Sequence, residues 1–237
     1  MKILALDTSG LVASVAIIDE DTLTAEYTIN YKKTHSQTLL PMIDEIVKMI
    51  QLDLKEIDAI AVSGGPGSFT GLRIGSATAK GLGLALDKPI IHIPTVDGLA
   101  YNLFGVKDLI CPLMDAKRNQ VYTGLYEFNE NTFITLEQQM AVGIEDIITK
   151  INEMNRSVIF LGDGVTPYRD IIIDKIRVPY QFAPAHLSKQ RAGAVASLAK
   201  IYYDKGQIES ALSHQPEYLR LSQAERELKE KNEKSNK

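Results

Sequence analysis

The sequence is poor in the residues that build several common sites. Its 237 residues contain no tryptophan and a single cysteine, Cys111. One cysteine excludes an intramolecular disulfide and a cysteine-ligated metal cluster. The four histidines, His35, His92, His186 and His214, never stand four residues apart, so the His-x-x-x-His pair that binds zinc or iron on a helix is absent. We therefore expect no metal site.

Positive charge and long apolar runs are also scarce. The 26 basic and 30 acidic residues give a formal net charge of −4. Proteins that bind nucleic acid by themselves usually carry a basic stripe, so this balance argues against autonomous RNA binding. No run approaches the length of a membrane span, and "MKILALDTSG" is too short in apolar residues for a signal peptide. We expect a cytoplasmic protein that does not contact membranes.

A glycine-rich stretch, "AVSGGPGSFTGLRIG" at 61–75, resembles phosphate-binding loops without matching either standard motif. A Walker A loop needs a Gly-Lys pair followed by a hydroxyl residue, and a dinucleotide fingerprint needs glycine where Thr70 stands. Backbone N–H groups between a strand and a helix can still hold an anion. The alternative is a turn that needs positive φ angles at Gly64 and Gly65. Both interpretations remain open.

Asp7, at the end of the first predicted strand, is the best-placed polar candidate. A carboxylate there could face a magnesium-bound phosphate in a cleft, or it could cap its own turn through the N–H of Ser9 or Gly10. Ser63 and Ser68 have no nucleophile elbow and no identifiable His–Asp pair, which argues against a serine hydrolase. Candidate contacts for weakly bound ATP or ADP with Mg²⁺ are Asp7, Thr8, Ser9, Gly64, Gly65, Gly67 and Asp115.

Hydrophobic periodicity predicts a series of strands and helices that occurs twice along the chain, as an internal repeat. The segment 108–128 can be laid over 2–19 at an offset of 108, which places Asp115 on Asp7 and Tyr122 on Ser14. This pattern predicts an α/β protein with a mixed sheet in each of two lobes. Thr95 and Ser188 are predicted helix N-caps, and Gly206 a helix end. The predicted division is an N-terminal lobe over 1–105, a C-terminal lobe over 106–221 whose last helices pack back on the first, and a charged, disordered tail over 222–237.

One predicted helix, about 70–86, carries a stripe of small residues. Gly71, Gly75, Ala79 and Gly83 recur every four residues. Each interior glycine costs about 1 kcal/mol of helix stability relative to alanine, so the stripe implies that another backbone comes close. That backbone belongs either to the chain's own sheet or to a partner. We expect Gly75→Leu to leave a folded monomer if the partner interpretation holds, and to be insoluble if the stripe packs internally.

Five segments together resemble one family: "MKILALDTSG", "KKTHSQTLLPMI", "SGGPGSFTGLRIG", "MDAKRNQVYTGLY" and "PEYLR". From Met1 to about Arg220 the chain resembles the bacterial TsaB family, also called YeaZ, of the actin-like, sugar-kinase and Hsp70 ATPase superfamily. The resemblance implies two RNase H-like lobes, a duplicated actin-like ATPase fold. It also supports the internal repeat.

The resemblance implies a role in making N6-threonylcarbamoyladenosine at position 37 of tRNAs that read codons beginning with A. The family's transferase, TsaD, carries a His-x-x-x-His metal motif. Here "THSQTLLP" keeps His35, but Leu39 stands where the second histidine would be. The resemblance therefore implies a non-catalytic subunit that needs no cofactor and is not a protease. Its implied partners are a TsaD-type transferase, a TsaE-type P-loop ATPase and a second copy of the chain, with tRNA reached only through the complex.

The helices around residues 35–50 and 71–86 are the predicted partner surface. The predicted contacts are His35, Leu39, Leu40, Ile43, Gly71, Arg73, Ile74, Gly75, Thr78 and Ala79. The alternative function is an autonomous Mg-dependent ATPase or small-molecule kinase of the same superfamily. Asp115 would then be the candidate general base.

Overall fold

The computed structural model describes residues 1–31 and 33–220, so the predicted tail over 222–237 lies outside the described residues. The strands are β1 Lys2–Asp7, β2 Ala13–Asp19, β3 Thr22–Ile29, β4 Ala59–Gly65, β5 Ile90–Pro94, β6 Leu109–Asp115, β7 Gln120–Asn129, β8 Thr132–Gly143, β9 Val158–Leu161 and β10 Tyr180–Phe182. The helices are α1 His35–Met49, α2 Phe69–Leu86, α3 Thr95–Tyr101, α4 Ile144–Met154, α5 Val165–Lys175 and α6 Ala192–Asp204.

The two sheets have the same topology. The first has the strand order β3-β2-β1-β4-β5, and the second has the order β8-β7-β6-β9-β10. In the first sheet the central strand β1 is antiparallel to β2 and parallel to β4. In the second sheet the central strand β6 is likewise antiparallel to β7 and parallel to β9. The predicted pair of mixed sheets is therefore confirmed.

The register of the duplication differs from the prediction by one residue at the second strand. Asp7 pairs with Ser14 across β1 and β2, whereas Asp115 pairs with Val121 across β6 and β7. Tyr122 is thus not the counterpart of Ser14. The turn after Asp115 is one residue shorter than the turn after Asp7, which an ungapped overlay cannot represent.

Helices cover both faces of the first sheet. One face packs against α1 through Leu39, Met42, Ile43 and Ile46. The other packs against the alanine-rich face of α6, which follows the whole second sheet in the chain. Small side chains on α6 let the helix axis approach the sheet closely. Among the described residues, no helix is both long and apolar enough to cross a membrane.

Two of the predicted helix caps are wrong and one helix end is confirmed. Thr95 is the first residue of α3, and its Oγ1 accepts a hydrogen bond from the Gly65 N–H at 3.2 Å instead of capping the helix. Ser188 cannot be the N-cap of α6, because that helix begins later, at Ala192. The Ser188 hydroxyl instead donates to the Ala185 carbonyl at 3.3 Å. Gly206 has φ +70°, in the left-handed region expected just after a helix.

Candidate interlobe cleft and partner surface

The glycine loop between β4 and α2 is filled by the chain itself. Gly65 has φ +131°, and a Cβ there would lie 2.1 Å from the Glu217 carbonyl oxygen. Gly64 has no positive φ, so that expectation is wrong. Glycine is needed at 64 because a Cβ would lie 2.1 Å from Cε1 of His92. The Glu217 N–H also donates to the Gly64 carbonyl at 2.7 Å. Neither of these two glycines therefore presents an open surface to a phosphate.

Asp7 is committed to its own turn. The side chain is 2% exposed, and Oδ1 accepts from the Ser9 N–H at 2.9 Å and from Ser9 Oγ at 2.7 Å. Its Oδ2 accepts from Ser63 Oγ at 2.6 Å. Burial raises the pKa of Asp7, while these hydrogen bonds act in the opposite direction. Of the two predicted roles, the turn cap through Ser9 is the one observed.

A cleft of about 410 Å³ separates the two lobes. It brings together three of the predicted phosphate contacts, Ser9, Gly67 and Asp115. Thr8 is not among its lining residues, and its hydroxyl donates to the Gly71 carbonyl at 2.7 Å. The lining residues are Ser9, Gly10, Leu11, Gly67, Ser68, Met114, Asp115, Ala116, Lys117, Tyr122 and Asp163.

Two carboxylates meet on the second lobe's side of this cleft. Asp115 Oδ1 accepts from the Lys117 N–H at 2.8 Å and from the Tyr168 hydroxyl at 3.2 Å. Burial opposes ionisation of Asp115, but hydrogen bonds and charge from Lys117 leave its pKa below the usual value. Asp163 accepts from the Asp115 N–H at 3.2 Å, and burial raises the pKa of Asp163.

Asp163 was not among the predicted site residues, although the sequence contains a signal for it. It lies between Gly162 and Gly164 directly after β9, where the second lobe repeats the position of the glycine loop. Gly162 has φ +105°, as Gly65 has a positive φ in the first lobe. A search for a second glycine turn at the corresponding strand end would have found this carboxylate.

The small-residue stripe of α2 faces the chain's own first strand and C-terminal segment. A Cβ on Gly71 would lie 2.0 Å from the Thr8 carbonyl oxygen, and one on Gly75 would lie 2.5 Å from Thr8 Oγ1. A Cβ on Gly83 would lie 2.9 Å from the Ala211 Cβ. The close backbone approach implied by the stripe is therefore internal. A leucine at 75 could not fit without displacing Thr8.

The predicted partner contacts divide into buried and accessible groups. Five are buried within this chain: Leu39, Ile43, Gly71, Gly75 and Ala79. His35, Ile74 and Thr78 are half-buried, whereas Leu40 and Arg73 are exposed. The buried group has an internal packing role that needs no partner. Contact of the accessible group with another protein stays a prediction.

His35 links the start of α1 to the turn after β1. Its Nε2 donates to the Gly10 carbonyl at 2.9 Å, since a carbonyl oxygen can only accept. Its Nδ1 is buried and has no hydrogen-bond partner among the described residues. This histidine therefore orders the cleft-side turn from inside the chain.

The C-terminal "PEYLR" segment joins the two lobes. Tyr218 stacks on Phe69 with ring centroids 4.1 Å apart, and Arg73 Nε donates to the Tyr218 hydroxyl at 3.2 Å. Arg220 donates to the carbonyl of Ala116 on the cleft at 2.6 Å. The segment thus links the start of α2 to the second lobe. Its Tyr218 also uses one hydrogen-bond donor of Arg73, the Nε.

Duplicated mixed sheets around a cleft define the class of actin-like ATPase-fold proteins. A hexokinase of the ROK type from Thermus thermophilus has this fold, with a TM-score of 0.50 and 11% identity over 87% of this chain and all of that one. The structure of YeaZ from Pseudomonas aeruginosa is more similar, with a TM-score of 0.79 and 26% identity over 92% of this chain and 99% of that one.

Residues 22–228 match the family described as TsaD, tRNA N6-adenosine threonylcarbamoyltransferase. The tRNA threonylcarbamoyladenosine biosynthesis protein TsaB of Bacillus subtilis is 34% identical over 95% of this chain and 96% of its own length. TsaB of Haemophilus influenzae is 30% identical over 93% and 94% of the two chains. The chain belongs to the TsaB family, a group related to the TsaD transferases.

Proposed function

We propose that this chain takes part in forming N6-threonylcarbamoyladenosine in tRNA as a non-catalytic subunit of a complex with a TsaD-type transferase. The names of its relatives and its match to the TsaD family support that pathway. The modified base is adenosine 37 of tRNAs that read codons beginning with A. A TsaE-type P-loop ATPase joins the same complex, and tRNA is contacted through the complex.

The observation that carries the accessory role is the state of Asp7. In an ATPase or kinase of this fold, a carboxylate at this strand end would face a metal-bound phosphate. Here both oxygens accept hydrogen bonds from Ser9 and Ser63, and the side chain is almost fully buried. This arrangement supports a nucleotide fold retained as a scaffold.

The exposed apolar side chains of α1 and the preceding loop support the partner-binding part of the proposal. Leu40 is 57% exposed and Met49 is 76% exposed, and Tyr31 before the helix is 66% exposed. Leu40 is among the contacts predicted from the sequence, whereas Met49 and Tyr31 are not. A groove of about 770 Å³ between β3 and α1 is lined by Tyr27, Pro41 and Met49, among others. Exposed apolar side chains next to a groove are features that protein–protein contacts use.

The test is co-expression with the TsaD-type protein of the same organism, followed by size-exclusion chromatography with light scattering. We expect a one-to-one complex that transfers threonylcarbamoyl to tRNA when neither chain does so alone. Leu40→Asp should abolish both the complex and the transfer. Ile173→Asp is the matched control, because Ile173 on α5 is 48% exposed and lies in the second lobe. A complex that survives Leu40→Asp, or is lost equally in the control, would refute the assigned surface.

A second copy of the chain is the competing occupant of this surface. Light scattering of the isolated wild-type chain and of Leu40→Asp separates the two cases. If a homodimer uses the same side chains, the variant will be monomeric and the transferase will convert the wild-type homodimer into a heterodimer.

An autonomous Mg-dependent ATPase or small-molecule kinase is the second candidate, favoured by the open interlobe cleft. Ser9, Gly67, Asp115 and Lys117 all line that cleft, and the exposed Lys117 ammonium, now ion-paired with Asp115, is the cation nearest to hand for a phosphate there. Saturable Mg-ATP binding and turnover by the isolated chain, both weakened by Lys117→Ala, would favour this function. Absence of turnover in the isolated chain would leave the scaffold role.

A further inference from the structure

A cluster of metal-ligating side chains lies behind the glycine loop, away from the interlobe cleft. His92 on β5 meets Glu209 and His214, which both follow α6. One ligand atom from each of the three lies within 4.8 Å of the others. The two imidazole rings have centroids 5.7 Å apart. Sequence spacing concealed this group, because His92 is distant along the chain from Glu209 and His214.

His214 shows a coordination capacity that the protein does not use. The residue is fully buried, and its Nδ1 lies 2.6 Å from Glu209 Oε1. An ion bound to Nε2 would lie on the far side of the ring from Glu209, so Nδ1 is the nitrogen that can share an ion with this carboxylate. A metal ion would there replace the hydrogen between Nδ1 and Glu209 Oε1. Nε2 is buried with no hydrogen-bond partner among the described residues, so Glu209 is the one hydrogen-bond partner of the ring in that part of the chain.

A second carboxylate extends the cluster towards solvent. His92 has Nδ1 4.0 Å from Glu209 Oε1 and Nε2 3.9 Å from Glu217 Oε2. Over the described part of the chain, neither glutamate forms an ion pair with a lysine or arginine. The two carboxylates therefore supply negative charge without a fixed cation. The His92 side chain is 25% exposed, which gives an ion a route from solvent.

The backbone around the cluster is held in place before any ion binds. Glu209 forms a two-way backbone pair with Ile90, two residues before His92 on the same strand. Lys80 Nζ donates to the carbonyl of His214 at 2.8 Å, and the Glu217 N–H donates to the Gly64 carbonyl. These contacts bring the C-terminal segment against β5 and reduce the reorganisation that coordination requires.

We propose that His92, Glu209 and His214 bind a divalent transition metal ion, with zinc as the best match. Imidazole with carboxylate suits zinc, whereas magnesium and calcium prefer oxygen ligands alone. Zinc bonds of about 2.0–2.2 Å place ligand atoms about 3.3 Å apart, so the widest separation closes by about 1.5 Å.

Such an ion would tie β5 of the first lobe to the segment that carries Tyr218 and Arg220. It would be a structural ion that holds the two lobes in their observed relation. The proposal is independent of the accessory role, because it uses neither the α1 surface nor the cleft.

The test uses the full chain without a polyhistidine tag, stripped with chelator and titrated with zinc or with magnesium by isothermal calorimetry. We expect one zinc per chain, no magnesium binding at the cluster, and a rise in the melting temperature with zinc. His92→Gln should weaken zinc binding at least about 10-fold and remove the thermal shift. His186→Gln is the matched control, because His186 is exposed and outside the cluster.

Because His214 is fully buried, the second variant is Glu209→Gln, whose side chain is 31% exposed. Circular dichroism checks that each variant keeps the wild-type secondary structure. Loss of zinc binding in folded His92→Gln and Glu209→Gln, with binding kept in His186→Gln, supports the site. Absence of stoichiometric zinc binding in the wild type, or equal binding in all variants, would overturn it.

Discussion

Replacing Gly75 or Gly81 by alanine adds the same methyl group to the interior of α2 at two sites with different surroundings. At Gly75 the new carbon would lie 2.5 Å from Thr8 Oγ1. At Gly81 no heavy atom lies within 4 Å of it, and the position is exposed. The pair therefore separates the helix-forming effect of alanine from the steric demand of the internal stripe.

The expected magnitudes follow from these surroundings. Alanine is favoured over glycine in a helix interior by about 1 kcal/mol, so Gly81→Ala should stabilise the protein by about that amount. At Gly75 the same gain is opposed by about 2 kcal/mol of overpacking. Displacing the buried Thr8 hydroxyl also breaks its hydrogen bond to the Gly71 carbonyl and leaves the hydroxyl without a partner, which costs about 2 kcal/mol more. Gly75→Ala should therefore lower the free energy of unfolding by about 3 kcal/mol.

Urea unfolding followed by far-UV circular dichroism measures both changes. The comparison requires that the slope of the unfolding free energy against urea concentration is the same in both variants as in the wild type. The expected result is a higher midpoint for Gly81→Ala and a lower midpoint for Gly75→Ala. A Gly75→Ala protein as stable as the wild type would refute the internal role of the stripe. It would restore partner contact as the reason for glycine at this position.

Three further predictions concern buried polar groups. Tyr126→Phe removes the 2.7 Å hydrogen bond to Asp97 and should lower the unfolding free energy by about 1.5–3 kcal/mol, measured by urea at pH 7; no change would contradict it. Because burial raises the pKa of Asp7 above 3.8, its stabilising contribution is complete below that pH and is lost as the pH rises through the folded value. The stability of wild type minus that of Asp7→Asn should therefore decrease with rising pH, and urea titrations that give a constant difference would be inconsistent with this. Burial raises the pKa of Cys111 to about 12, so a thiol reagent at pH 8 should label it only after unfolding, whereas rapid labelling of the native protein would contradict its burial.

Much of the fold was predictable because its elements have strong and separate patterns. The run from Lys2 to Asp7 is a short apolar strand that ends at an aspartate, and the same pattern recurs before Asp115. The helix after the glycine loop begins at Phe69 and ends at Leu86, close to its predicted bounds. Local periodicity reports these features because side-chain burial repeats with the period of the element.

Several of the failures have one physical cause, which is that distant residues decide the role of a local group. Thr95 looks like a helix cap until its hydroxyl is engaged by the Gly65 N–H. The stripe at Gly75 suits a partner or the protein's own interior equally well, and only the position of Thr8 decides between them. His92 and His214 come together because the C-terminal segment runs along β5, which no spacing rule along the chain describes.

The position of α6 has a consequence for biosynthesis. The face of the first sheet that carries Ile3, Ile18 and Ile91 is covered by residues 192–204, which leave the ribosome only after the whole second sheet has been made. Domains generally fold in order of synthesis, but this sheet must wait with one apolar face in water. A nascent chain that stalls before residue 192 would therefore expose an aggregation-prone apolar surface, and emergence of α6 from the ribosome is the step that covers it.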